Sequence, residues 1–153
     1  MDARSNEPPR TLRQRRGAAA EALVAEMLAA AGWRLLGRGV RVGRGELDLV
    51  GVDPGPPAML VFVEVRSVAT GRFGSPLESV TRGKLERTWL AAGGLLSRGI
   101  LPDGSPLPGL PWRVDLVGVE TGARGDHLPS GPRITHHRAL APEGSHGRGW
   151  RRR

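Results

Sequence analysis

Glu46 and Asp48 lie on the stretch Gly45-Glu46-Leu47-Asp48-Leu49-Val50, and Glu64 and Arg66 lie on Val61-Phe62-Val63-Glu64-Val65-Arg66. Two carboxylates brought together could bind a divalent metal, share a proton at raised pKa, or be balanced by a guanidinium such as that of Arg66. Which residues meet depends on the elements that carry them. In both stretches apolar and charged residues alternate, as in a strand with one face in a core. The alternation predicts Glu46 and Asp48 on one face with Leu47 and Leu49 on the other, and Glu64 and Arg66 on the face opposite Val61, Val63 and Val65. The link from Asp53 to Ala58 is rich in Pro and Gly, which predicts an antiparallel hairpin centred near Pro56. Asp48 and Glu64 are equidistant from that centre, so they should face each other and repel unless something compensates. Glu46 faces Arg66 in this register, where an ordinary ion pair is the simpler role and an auxiliary metal ligand the alternative.

The chain has 153 residues, enough for one domain with a core. It has no cysteine, hence no disulfide framework and no thiolate metal site, as expected in a reducing cytoplasm. No apolar run reaches membrane-spanning length, and residues 1–16 lack the apolar core of a secretion signal. These features predict a soluble cytoplasmic protein. The formal charge is +8, of which residues 1–16 carry +3 and residues 144–153 carry +4, leaving +1 for residues 17–143. Basic tails over residues 1–16 and 142–153, expected to be disordered, thus flank a single domain over residues 17–141. Such tails could help hold a polyanion or simply be solvated. Of the 23 basic residues, 22 are Arg, so Arg stands here where other chains would use Lys, and Lys84 is the exception.

An Ala-rich segment, Gly17 to Ala31, predicts a helix with Leu23, Met27 and Leu28 inward and Gly32 as its C-terminal cap. Glu21 and Glu26 lie on it; the ordinary role of each is solvated, and Glu21 also sits near the helix's positive N-terminal end. A strand follows over Trp33 to Arg41, then the hairpin. From Pro76 to about Ser97 a second helix is predicted, with Leu77, Val80, Leu85, Trp89, Leu90 and Leu95 as its apolar stripe. Gly99 to Pro111 should be a loop, Trp112 to Glu120 a strand in which Asp115 is structural or exposed, and Arg133 to Ala139 a short last strand. His136 and His137 are adjacent on it and should point to opposite faces. The four Trp read as core, or tail for Trp150. The order α-β-β-β-α-β, with a further short β, suits an α/β mixed sheet flanked by helices.

Gly17 and Glu21, Gly45-Glu46-Leu47-Asp48-Leu49-Val50, Phe62-Val63-Glu64-Val65-Arg66, Lys84, Arg113-Val114-Asp115-Leu116-Val117 and Ile134-Thr135-His136-His137-Arg138-Ala139 follow in that order. Together they resemble the YraN-type family of the restriction-endonuclease-like superfamily, which is similar to archaeal Holliday-junction resolvases. The resemblance covers about residues 17 to 140. It implies a restriction-endonuclease-like fold and a metal-dependent endonuclease acting on DNA, at branched or repair intermediates. The superfamily's metal-binding aspartate falls on Asp48, its glutamate on Glu64, and the helix glutamate of the resolvase-like branch on Glu21. The superfamily's lysine position falls on Arg66, a departure, because an arginine cannot give up its proton to act as a base. Arg66 could still stabilise charge on a phosphoryl group, and Lys84 could reach the site from its helix. Oxygen ligands without His or Cys imply Mg²⁺ or Mn²⁺. By analogy with junction-cutting relatives a homodimer is expected. The alternative is a nuclease-fold nucleic-acid-binding or adaptor protein with weak or no catalysis.

Overall fold

A computed structural model of the chain describes residues 11–69, 82–121 and 131–142. Its elements in chain order are α1 (Leu12–Ala30), β1 (Arg34–Val42), β2 (Gly45–Asp53), β3 (Met59–Ala69), α2 (Arg82–Arg98), β4 (Trp112–Thr121) and β5 (Arg133–His137). The five strands form one sheet in the order β1-β2-β3-β4-β5. The β1–β2, β2–β3 and β4–β5 pairs are antiparallel, and β3–β4 is parallel. This is the expected α/β mixed sheet flanked by helices.

Helix α1 begins at Leu12 and not at Gly17. Thr11 accepts a hydrogen bond from the Gln14 N–H at 3.2 Å while the Gln14 side chain accepts from the Thr11 N–H at 2.7 Å. This capping box satisfies two of the first turn's orphan donors and carries the helix back through residues 12–16, which composition alone assigns to the tail. At the other end Gly32, at φ 91°, takes the left-handed conformation that terminates a helix cheaply only with glycine. The predicted start of α2 at Pro76 and the inward Leu77 and Val80 lie outside the described residues. So do residues 1–10 and 143–153. Within α2, Thr88, Ala91, Ala92 and Leu95 are buried, whereas Leu90 is 75% exposed. The buried arc is centred on the other side of the helix, so the expected apolar stripe is one position too broad.

Apolar residues fill both faces of the sheet. On one face Ala20, Val24, Ala25 and Leu28 of α1 pack with Trp33, Leu49, Val61, Val63, Val65, Val117 and Val119. On the other, Ala91, Ala92 and Leu95 of α2 pack with Val40, Val42, Leu47, Val50, Leu60, Phe62 and Val114. The helices therefore lie on opposite faces, as burying the sheet from both sides demands. Trp33 sits just ahead of β1 and is buried; Trp89 and Trp112 meet edge to face at 4.9 Å, so the three tryptophans among the described residues serve the packing.

β5 is fastened to the sheet by a buried polar network. Asp115, fully buried, accepts from Arg113 Nε at 2.9 Å and the Ala139 N–H at 3.0 Å, and its Oδ2 lies 2.8 Å from His136 Nε2. Arg113 also donates to Asp53 at 2.7 Å, tying the end of β2 to the start of β4. Burial alone would raise the Asp115 pKa, but the bonds from His136 and Arg113 hold it below its ordinary value. Asp115 is thus structural. His136 joins this network on the α1 side, and His137, next in the strand, turns to the other face, as alternation predicts. Among the described residues no helix is long and apolar enough to cross a membrane.

Candidate active site

The β2–β3 hairpin takes the predicted register, from Asp53↔Met59 to Leu49↔Val63, centred on Pro56. One step further, where Asp48 and Glu64 would be the next pair, the ladder stops. The Asp48 carboxylate accepts a hydrogen bond from the Val65 N–H at 2.8 Å. A side chain thus replaces the backbone acceptor, and the two strands part around it.

The parting changes which residues share a face. Leu47 packs in the α2 core and Leu49 in the α1 core, so they do not lie on one face as strict alternation requires. The change of face falls between the pairs Arg38↔Leu49 and Val40↔Leu47, where Gly39, at φ 55°, and Asp48 drop out of the ladder without a shift of register; the register shift of this strand pair lies further along, between Leu35 and Gly37. An extra residue out of step on each strand reverses the alternation beyond it. Glu46 and Asp48 therefore do not share a face either. Glu46 lies opposite Arg41, on the α1 side, and its Oε2 is 3.8 Å from Arg41 Nε. The expected cross-strand pair with Arg66 gives way to Arg41 as the partner seen here.

β3 keeps its alternation. Glu64 and Arg66 face α2, with Glu64 buried and Arg66 half-buried beside Gly118 of β4. From α2, Lys84 Nζ reaches Glu64 Oε1 at 3.0 Å. From α1, Glu21 reaches Asp48. The result is a row of charged groups crossing the sheet through the gap between β2 and β3. Glu21 hydrogen-bonds Asp48 from the α1 side, Asp48 hydrogen-bonds Glu64, and Lys84 closes the row on the α2 side.

Crowding of acids at this depth shifts their titration. Burial, then the charge of Glu64, raises Asp48 to about 7 against the pull of the Val65 N–H and Lys84. Burial, then the charges of Asp48 and Glu46, raises Glu21 to about 7 although Arg38 opposes it. The raised values of Asp48 and Glu21 favour their protonated forms, which would relieve the repulsion that the sequence predicts. Among the described residues no group of three or more acidic, imidazole or thiolate side chains forms a ready-made cage for an ion. The oxygens of Asp48 and Glu64 nevertheless suit a hard cation, which would take the place of the shared proton. Glu21 touches Asp48 and would act directly or through water. Sequence reasoning does not find the Val65 N–H that anchors Asp48, nor Arg38 beside Glu21, since both belong to the break in alternation at Gly39 and Asp48.

A family model, Uncharacterised protein family UPF0102, matches residues 20–119. This chain belongs to the UPF0102 family. A UPF0102 protein of Symbiobacterium thermophilum is 42% identical over 112 residues, covering 73% of this chain and 87% of the relative. One of Deinococcus radiodurans is 40% identical over 112 residues, covering 73% and 84%, and one of Roseiflexus castenholzii 34% identical over 122 residues, covering 76% and 92%. The segment matched by the UPF0102 model holds the whole charged row, from Glu21 to Lys84.

Proposed function

We propose that this UPF0102 protein is a metal-dependent endonuclease of the restriction-endonuclease-like type that hydrolyses DNA phosphodiester bonds, at branched or repair intermediates. The observation that carries the reading is the contact of Lys84 with Glu64 at 3.0 Å, beside an Asp48 pinned by the Val65 N–H. The strand position where an amine is expected holds Arg66, and an amine from α2 comes to the same carboxylate. Acids and amine are thereby assembled although the local motif departs from the pattern.

Asp48 and Glu64 would hold Mg²⁺ or Mn²⁺, with Glu21 as a further ligand directly or through water. Such a cation polarises a phosphate and lowers the pKa of the attacking water. Lys84, adjacent to Glu64, orients that water or donates to a phosphate oxygen. Arg66 lies on the same face, and a guanidinium there serves to stabilise negative charge on the phosphoryl group and not as a base. Glu46, near Glu21 and paired with Arg41, shapes the local field.

A second reading is a nucleic-acid-binding or adaptor module without catalysis. It is favoured by the row as it stands, with Lys84 already neutralising Glu64 and, among the described residues, no cage formed. A cleavage screen over linear, single-stranded, flapped and four-way DNA with Mg²⁺ or Mn²⁺ separates the two. The endonuclease cuts at least one substrate, and Glu64→Ala abolishes the cut; cutting that survives in Glu64→Ala rules out this site, and none by the unaltered chain favours the module.

A further inference from the structure

Arg38 and Arg41 are three residues apart on β1, a spacing that puts side chains of a regular strand on opposite faces. Here they share one. Arg38 pairs with Leu49, which belongs to the α1 core, so Arg38 projects to the α1 side. Arg41 pairs with Glu46 between the pairs Val40↔Leu47 and Val42↔Gly45, whose apolar side chains face α2, so Arg41 also projects to the α1 side. Gly39 makes this possible through its φ of 55°, a conformation that side-chain-bearing residues avoid. A Cβ there would meet only Glu46 Oε1, at 3.7 Å, so the backbone and not the space calls for glycine.

Arg38 borders the acidic row, and Arg41 meets Glu46, whose charge acts on Glu21 from beside it. The charge of Arg38 is felt at Glu21. Arg41 contacts Glu46 loosely, at 3.8 Å, with side chains 80% and 46% exposed. An ion pair so exposed contributes little, and its guanidinium can change partner at small cost. β1 is one of the two outer strands of the sheet, so both heads lie at its rim, with only β2 between them and the gap that holds Asp48.

We propose that Arg38 and Arg41 form a subsite for a backbone phosphate of the nucleic-acid strand that enters the acidic row. The inference rests on the nucleic-acid reading above and adds the side from which the strand approaches, the α1 side of the β1–β2 hairpin. Guanidinium forks suit phosphate oxygens and read no base, so the subsite positions the strand without selecting sequence. The same charges at a sheet edge would also discourage edge pairing, and Arg34 supplies the comparison. It is exposed on β1 too, but opposite Val52, toward the far end of the strand.

The test is the salt dependence of binding of a labelled single-stranded oligodeoxynucleotide and its duplex to the full chain in EDTA, where no metal-dependent cleavage occurs. Neutralising one phosphate fewer should lower the slope of log affinity against log salt by about 1. Arg38→Gln with Arg41→Gln, which removes both forks from the one phosphate, is expected to lower it by about 1, Arg38→Lys with Arg41→Lys to retain it, and Arg34→Gln to leave it unchanged. An unchanged slope in the Arg38 and Arg41 variant, or an equal fall in Arg34→Gln, overturns the subsite. Because the readout involves no cutting, a slope change in a chain that cleaves nothing upholds the subsite while removing the nuclease reading.

Discussion

Lys84 Nζ on α2 lies 3.0 Å from Glu64 Oε1 on β3, so the chain's single lysine meets the buried carboxylate of its central hairpin. The pair crosses from helix to sheet, and three further consequences of the same fold can be measured alongside it.

Lys84→Ala should lower single-turnover DNA cleavage about a hundredfold or more, the range expected for a positioned proton donor or charge stabiliser. Lys84→Arg should restore charge but not rate if an amine that can exchange protons is needed. Full activity in Lys84→Ala would show that the contact with Glu64 is structural only.

Asp48→Asn should keep an acceptor for the Val65 N–H while removing one of the crowded charges. In metal-free buffer above pH 7 this variant should be more stable than the parent, by on the order of 2 kcal/mol, since a buried charged carboxyl is replaced by a neutral amide. Its melting temperature should no longer rise with Mg²⁺. Asp48→Ala, which also strands the Val65 N–H, should be less stable than Asp48→Asn.

Stability of the metal-free protein should fall as pH rises from about 4 to about 7. Asp48 and Glu21 titrate near 7 in the folded chain and near 3.8 and 4.5 when free in water, so across this window the folded state binds more protons than the unfolded. A cation needs the deprotonated oxygens, so stabilisation by Mg²⁺ should grow over the same window. Urea titrations at about pH 5 and 8, with and without Mg²⁺, test both signs; equal Mg²⁺ stabilisation at the two pH values would contradict the proposed ligands.

Arg113→Met should destabilise the fold by about 3 kcal/mol or more, because it leaves Asp53 and Asp115 buried without their shared cation. Both carboxyls are held below their ordinary pKa, so their contribution is complete above about pH 4 and disappears as pH falls through the folded values. The parent should therefore lose stability steeply below pH 4, and Arg113→Met less steeply, by urea denaturation.

Much of this arrangement is readable from residue order. Turn residues around Pro56 set the hairpin register that brings Asp48 to Glu64, and the alternation of β3 puts Glu64 and Arg66 on one face. Lys84 is visible only as an exception in an arginine-rich chain, since the path of α2 over the sheet is a matter of tertiary packing. Period-two reasoning assigns Glu46 to Arg66 because it runs straight through Gly39 and Asp48. The reversal of faces there, without a shift of register, follows from a left-handed glycine and a side chain that displaces the ladder, neither of which leaves a mark on hydrophobic pattern. The start of α1 is hidden by the Arg-rich composition around Thr11 and Gln14, where two reciprocal bonds outweigh a weak apolar signal.

Asp48 stands in for a peptide carbonyl toward Val65 and is also a proposed ligand. Architecture and chemistry therefore converge on one carboxyl group. A scan that scores only folded yield and a scan that scores only turnover would both mark position 48, for unrelated reasons, and only an isosteric amide can tell the keystone from the reagent.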